Sequence, residues 1–280
     1  MNKDQSNDLI EYKFIDVEII KKEVPFGEND LVFIGGSLIE GIGNKLSDLD
    51  LFIITDNFDD ASNYDMDYDF KNIKYMFKRI NDVIYDIEYW DRNVIDTVFE
   101  QINSIDLLEI DTKVMNQVNI PNYDFSNISS LIHRMINGIN ISNQEQFESY
   151  VNGLDLRKYH TLMVRYNMSN AEAKYEDIVG NLDSENYSSA LFVAKEYLVY
   201  LSMALLHSYS ISIDRKKWVF KKLELFVEKN PQLEGMINKI ITYYFGYNIT
   251  NSEMMETEIT EIIELTEEIY DHITDRLGGI

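Results

Sequence analysis

Short apolar segments separated by polar turns dominate the first third of the chain. Residues 31–34 and 51–55 are almost continuous apolar runs, which are typical of buried strands. Residues 83–90 are rich in β-branched and aromatic side chains and predict a third strand. Apolar side chains at helical spacing predict a helix over residues 70–80. Residues 8–23 fit either an amphipathic helix or a strand.

Helical periodicity dominates the rest of the chain. The predicted helices cover residues 93–103, 127–140, 143–168, 185–209, 214–229, 231–246 and 252–277. The strongly apolar segment 185–209 is expected to be the central helix of a bundle. The predicted fold class is therefore α+β. A mixed sheet with flanking helices forms a domain over residues 1–125, and a helical C-terminal domain covers 126–280.

Composition narrows the classes of function. The chain of 280 residues has no cysteine, which excludes disulfides and thiolate chemistry. Its N-terminus lacks the apolar segment of a signal peptide, and no apolar run is expected to cross a bilayer, so we expect a cytoplasmic protein without a membrane partner. A formal net charge of −24 disfavours nucleic acid as a partner. The same charge would attract a small cationic substrate, or it serves only solubility.

The segment LVFIGGSLIEGIGNKLSDLDLFIIT at residues 31–55 carries the candidate chemistry. Its polar loop opens with Gly35-Gly36-Ser37 and closes with Ser47-Asp48-Leu49-Asp50. Asp48 and Asp50 lie two apart at the start of a predicted strand, so both carboxylates point to the same face. Such a pair can hold a divalent cation, and the backbone N–H groups of a glycine turn can hold a phosphate. The alternative is a glycine hairpin followed by a turn aspartate.

This pattern resembles the nucleotidyltransferase superfamily built on the DNA polymerase β fold, and it is most similar to the antibiotic, aminoglycoside-type branch. The resemblance implies that Asp48, Asp50 and an acid on the neighbouring strand hold Mg²⁺. Asp86 is the preferred third ligand, and Glu88 lies on the same face. An acidic face exposed to solvent is the competing explanation for this pair. The phosphate contacts implied by the resemblance are Gly35, Gly36, Ser37 and Ser47.

The implied reaction is attack of a small-molecule hydroxyl on the α-phosphorus of ATP or another nucleoside triphosphate, with release of pyrophosphate. The candidate general bases are Glu88 and Asp155. Many members of the superfamily have a basic residue shortly after the Gly-Ser turn, whereas this chain has Glu40. The triphosphate charge would then be met by other residues, namely Lys45, Lys158, Arg165, Lys216 and Lys217. A surface ion pair between Asp155 and Lys158, and a basic helix start at 216–217, are the alternatives.

The acceptor is the least determined partner. An aminoglycoside-like antibiotic is the first hypothesis, and a homodimer is expected by the same resemblance. A protein-modifying nucleotidyltransferase and a non-catalytic nucleotide-binding protein of the same fold are the rival hypotheses.

Overall fold

The computed structural model describes residues 16–44, 47–70, 73–106, 118–121, 123–246 and 251–278. The chain divides into two compact units. The first comprises residues 1–101 and 119–154, and the second comprises residues 102–118 and 155–280. Residues 126–154, which the sequence assigned to the helical domain, thus group with the sheet. They do so because this segment supplies an edge strand that pairs with the sheet.

The first unit is built on a six-stranded sheet. Its strands are β1 (Leu31–Gly35), β2 (Leu49–Thr55), β3 (Tyr68–Asp69), β4 (Ile73–Ile80), β5 (Val83–Asp91) and β6 (Ile139–Asn140). The order across the sheet is β3-β4-β5-β2-β1-β6. The β2–β5 pair is parallel and every other pair is antiparallel. This is the α+β class with a mixed N-terminal sheet that the sequence predicts.

The helix predicted over residues 70–80 is wrong, because residues 73–80 form β4. Asn81 and Asp82 have φ values of 48° and 65°, and they turn the chain between Ile80 and its partner Val83. Two consecutive left-handed residues are typical of a tight hairpin. Lys74 is only 4 % exposed on β4, where its ammonium group contacts Asp69. Because this lysine occupies a buried position, the segment lacks the alternation of apolar and polar residues that indicates a strand.

The two faces of the sheet differ in character. One face packs an aliphatic and aromatic core that includes Leu51, Ile53, Ile87 and Tyr89. Because side chains alternate along a strand, Asp50, Asp86 and Glu88 lie on the opposite face. The helices of the first unit are α1 (Val17–Glu23), most of α2 (Arg92–Ser104), α3 (Phe125–Asn137) and α4 (Gln144–Asn152). Residues 8–15 of the ambiguous first segment lie outside the described residues, and residues 17–23 are helical.

The second unit is helical. Its long helices are α5 (Leu156–Asp183), α6 (Tyr187–Ser208), α7 (Val219–Lys229), α8 (Glu234–Phe245) and α9 (Ser252–Leu277). The single helix predicted over 143–168 is instead the pair α4 and α5. The break is local, because Gly153 ends α4 and the Asp155 carboxylate caps α5 by accepting hydrogen bonds from two backbone N–H groups.

The helix α6 supplies the centre of the second core, with twelve of its side chains buried. Among the described helices it is the one long and apolar enough to cross a membrane by length and composition alone. This differs from the sequence-based expectation that no segment could cross a bilayer. Lys195 and Glu196 lie within the apolar stretch of α6. About half of this apolar stretch, 56 %, is buried in the structure. The core helix of a protein can be equally long and apolar.

Candidate functional site

The turn after β1 lies directly against the Asp50 carboxylate. Gly36 adopts a φ of 87°, and a β-carbon at this position would lie 1.7 Å from Asp50 Oδ2. Glycine is therefore required for both the backbone conformation and the close approach. The following residues fold into a compact loop in which the Ser37 carbonyl accepts hydrogen bonds from the N–H groups of Ile42 (3.0 Å) and Gly43 (2.7 Å).

The acidic side chains come from two neighbouring parallel strands. Asp50 is the register partner of Asp86, and Phe52 is the register partner of Glu88. Asp48 precedes β2 and is exposed. The charges of these groups influence one another, because Asp48 acts on the pKa of Asp86 and Asp50 acts on the pKa of Glu88. The structure therefore places Asp50, Asp86 and Glu88, which come from two separate segments of the sequence, on neighbouring strands.

A partly buried arginine lies beside these acids, and the sequence analysis did not identify it. Arg134 on α3 places its guanidinium nitrogens 3.9 Å from Asp50 Oδ1 and 3.9 Å from Glu88 Oε1. It donates a hydrogen bond of 2.9 Å to the Ser130 hydroxyl and lies over the Phe52 ring at 5.3 Å. The only signal in the sequence was a single arginine in the helix segment SSLIHRMIN.

Glu88 is the most buried acid of this group, at 9 % exposure. Its Oε2 accepts a hydrogen bond of 2.9 Å from Trp90 Nε1. Burial raises the pKa of Glu88 to about 7, against the opposing effects of Arg134 and the Trp90 hydrogen bond. A carboxyl with a pKa near 7 exchanges protons readily at neutral pH.

Asp86 has one oxygen that is buried without a hydrogen bond. Its Oδ1 has no partner among the residues that the structure describes. Burial also raises the pKa of Asp86, while Arg134 lowers it and Asp48 raises it. A buried carboxylate oxygen without a partner is costly, and a cation is one means of satisfying it. The oxygen-only donor set of Asp50 and Asp86 suits Mg²⁺.

The acids are close without forming a complete metal cage. In the described part of the chain, no group of three Asp, Glu or His side chains is placed to hold a metal ion. The trio Asp48, Asp50 and Asp86 predicted from sequence therefore converges only in part. The adjacent pair Asp50 and Asp86 is in place, while Asp48 lies exposed at the start of β2.

Glu40 joins the loop after Gly36 to the helix α3. Its Oε1 lies 3.0 Å from His133 Nε2, and the His133 ring is 1 % exposed. The neighbouring Arg134 packs so closely on β1 that a β-carbon on Gly35 would lie 3.0 Å from the Arg134 Cβ. Two consecutive residues of α3 thus contact the glycine turn and the acids, which explains how an acidic residue is accommodated at position 40.

The remaining predicted residues have other surroundings. Ser47 closes its own turn, since its hydroxyl accepts a hydrogen bond of 3.0 Å from Asn44 N. Lys45 lies outside the described residues. Four others belong to the second unit. They are Asp155, which caps α5; Lys158, which donates to the Asn103 carbonyl; Lys216, which lies 3.6 Å from Glu196; and Lys217, which lies over the Trp218 ring.

The chain was compared with protein-family models, curated proteins and solved structures. Neither a family model nor a curated protein matched the chain. The structure is similar to that of a nucleotidyltransferase-like protein from Exiguobacterium sibiricum 255-15, with 9 % sequence identity and a TM-score of 0.49. The match covers 93 % of this chain and 78 % of the other. A likeness at this level assigns no residue and no activity, so the conclusions below depend on the geometry of the acids.

Proposed function

We propose that the first unit carries the catalytic site of a Mg²⁺-dependent nucleotidyltransferase. The enzyme would transfer a nucleoside monophosphate, with AMP from ATP the expected case, to a hydroxyl group of a small molecule. The observation that carries this proposal is the register pairing of Asp50 with Asp86 beside the turn at Gly36. An unpartnered buried oxygen on Asp86 supports a cation at that place.

In the proposed reaction, the acceptor oxygen attacks the α-phosphorus and the bond to the bridging oxygen of the β-phosphate breaks. Pyrophosphate leaves with that bonding pair. Asp50 and Asp86 would hold the magnesium, which supplies positive charge to the phosphate oxygens when bound. The backbone at Gly36 and Ser37 would orient the triphosphate.

Glu88 is the better of the two candidates for the general base. It belongs to the same unit and the same sheet face as Asp50 and Asp86, whereas Asp155 caps a helix of the second unit. In the proposed step, the Glu88 carboxylate accepts the proton of the attacking hydroxyl at Oε1, because Oε2 already accepts from Trp90. A pKa of about 7 would leave this group partly ionised at neutral pH.

Arg134 favours a second candidate function, a nucleotide-binding protein without turnover. A guanidinium 3.9 Å from Asp50 and Glu88 already supplies positive charge to two of the acids. A protein of this kind would bind the nucleotide at the glycine turn and leave it unreacted. The two functions make different predictions for product formation.

The test is incubation with Mg²⁺, α-labelled ATP and a panel of aminoglycosides and lincosamides. We expect a labelled adduct together with pyrophosphate. Asp50→Asn and Asp86→Asn should each lower turnover by roughly a hundredfold or more, while far-UV circular dichroism stays unchanged. The exposed Asp60→Asn serves as the matched control. Nucleotide binding by calorimetry without product from any acceptor would select the non-catalytic function, and label on a co-incubated protein would move the acceptor to the protein class.

A further inference from the structure

The second unit contains a cleft of about 410 Å³, and all of its lining residues belong to that unit. The helix α6 contributes Phe192 and Lys195 to its lining, and α8 contributes Tyr244 and Phe245. Lys216, Lys217 and Phe220 line it from the start of α7 and the turn before it. The volume lies within the range of small-molecule sites.

Exposed aromatic surface is the first property of this cleft. Phe220, Tyr244 and Phe245 form a cluster with ring centroids 4.3 to 4.9 Å apart. Phe192 and Phe245 are 66 % and 65 % exposed, the largest values among the exposed large hydrophobic side chains of the described chain. Ring surface left in water at the edge of a cleft gains free energy when an apolar or aromatic ligand covers it.

Positive charge is the second property. The lining contains three lysines and one glutamate, Glu196. Glu196 is shared, because its carboxylate lies 2.8 Å from Lys174 and 3.6 Å from Lys216. Glu258 similarly lies 3.4 Å from Lys195. Among the lining residues, three lysines thus outnumber one glutamate, in a chain whose formal net charge is −24.

The backbone adds to this preference. The helix α7 begins at Val219 without a side-chain cap, after the short 3-10 turn Lys216–Trp218, which contains two lysines of the lining. An uncapped helix start carries partial positive charge and favours an anion nearby. Lys216 also lies 3.9 Å from the Tyr200 ring centroid, which shows that the cations and the rings of this region are within contact distance of each other.

We infer that this cleft binds a small anion that is carried on an aromatic ring. The ring would lie against Phe192 and Phe245, and the acidic group would meet Lys216 and Lys217. This inference goes beyond the proposed transfer reaction, because it gives those lysines a ligand that does not depend on Asp50 or Asp86. A neutral aromatic ligand would leave the lysines without a counter-charge, and an anion without a ring would leave the phenylalanine rings exposed to water.

The test uses two fluorescent probes with similar rings and different charge, the sulfonate 1-anilinonaphthalene-8-sulfonate and the neutral N-phenyl-1-naphthylamine. We expect the sulfonate to bind with one site per chain and roughly tenfold more tightly than the neutral probe. Lys216→Gln combined with Lys217→Gln should remove this difference and leave the neutral probe unaffected. Phe192→Ala combined with Phe245→Ala should weaken both probes.

A control variant with the same charge change is Lys229→Gln combined with Lys239→Gln, at exposed positions outside the lining. It should change neither titration. Displacement of the sulfonate by a nucleoside monophosphate or by indole-3-acetate would support the inference and separate a phosphate ligand from a carboxylate ligand.

Three results would overturn the inference: equal affinity for both probes, an unchanged sulfonate titration in the Lys216/Lys217 variant, or displacement by neither anion. A dimer that dissociates on Phe192→Ala and Phe245→Ala would also overturn it, since the rings would then cover a second copy of the chain. No ATP or metal enters these titrations, so their outcome is independent of the nucleotidyltransferase proposal.

Discussion

Gly36 combines a left-handed backbone with contact to a charged side chain. Its φ is 87°, and its α-carbon faces Asp50 at a distance that admits no β-carbon. Gly41 has a similar φ of 71°, yet a β-carbon built there would have no atom of the described residues beyond its chain neighbours within 4 Å. An alanine at position 41 would therefore cost only the free energy of the left-handed backbone. An alanine at position 36 would add the steric clash with the Asp50 carboxylate.

We predict that Gly36→Ala lowers the free energy of unfolding by more than Gly41→Ala. The second change should cost about 1 kcal/mol, which is the usual penalty for a left-handed alanine. The first should cost at least about 2 kcal/mol more, because the Asp50 carboxylate or the turn must move. Urea unfolding of both variants measures the difference, and equal losses would contradict the close approach.

Glu88 shows how burial sets the charge state of a single residue. The carboxyl is 9 % exposed, and its pKa of about 7 lies well above the ordinary value of 4.5. The folded protein therefore holds a proton over a pH range in which the unfolded chain has already lost it. Stability from this group is complete below pH 4.5 and is lost as the pH rises to about 7.

We predict that Glu88→Gln, which cannot ionise, is no more stable than the parent near pH 4.5 and is more stable above pH 7. The difference between 4.5 and about 7 corresponds to roughly 3 kcal/mol. The measurement is urea unfolding of both proteins from pH 4.5 to 8. The exposed Glu100→Gln should stay parallel to the parent. A constant offset between Glu88→Gln and the parent would show that Glu88 does not titrate in this window.

The β4–β5 hairpin shows why one element was assigned wrongly from sequence. Its apolar residues happen to fall at helical spacing, and a lysine occupies an inward position through contact with Asp69. What decides the structure is non-local, because every residue of β4 pairs with β5 in the sheet. The turn residues Asn81 and Asp82 tolerate left-handed backbone, although neither does so as easily as glycine.

We predict that Asp82→Gly stabilises the hairpin by about 0.5–1 kcal/mol, because glycine adopts a φ near 65° without steric cost. Asp82→Val should destabilise it by about 1–2 kcal/mol, since a β-branched residue resists this conformation. Thermal unfolding of the two variants beside the parent gives the comparison. If valine is tolerated as well as glycine, the positive φ at this position is not retained in solution.

The charge of the entire chain opposes its own folding. With a formal net charge of −24, the acidic side chains of the folded chain repel one another beyond contact distance. Salt screens that repulsion. Screening depends on ionic strength alone, whereas a bound cation acts at specific acids. Sodium and magnesium salts at equal ionic strength therefore distinguish the two effects.

We predict that NaCl raises the urea midpoint of the parent and that MgCl₂ at matched ionic strength raises it further. The additional gain in the free energy of unfolding should be about 1.4 kcal/mol when Mg²⁺ is in tenfold excess over its Kd. Asp50→Asn should keep the NaCl effect and lose the additional gain, and the exposed Asp60→Asn should keep both. Identical curves for the two salts in the parent would contradict a magnesium site.

Short-range alternation and spacing in the sequence were enough to predict three strands, the glycine turn and the acids at its edge. The strands are β1, β2 and β5, and the acids are those at positions 50, 86 and 88. The register that sets Asp50 beside Asp86 was accessible only in the folded chain, since the two belong to strands separated by an intervening hairpin. Arg134 and His133 entered the site for the same reason, as α3 packs on β1 through long-range contacts. Local sequence thus specified which groups carry charge, and folding specified which of those charges meet.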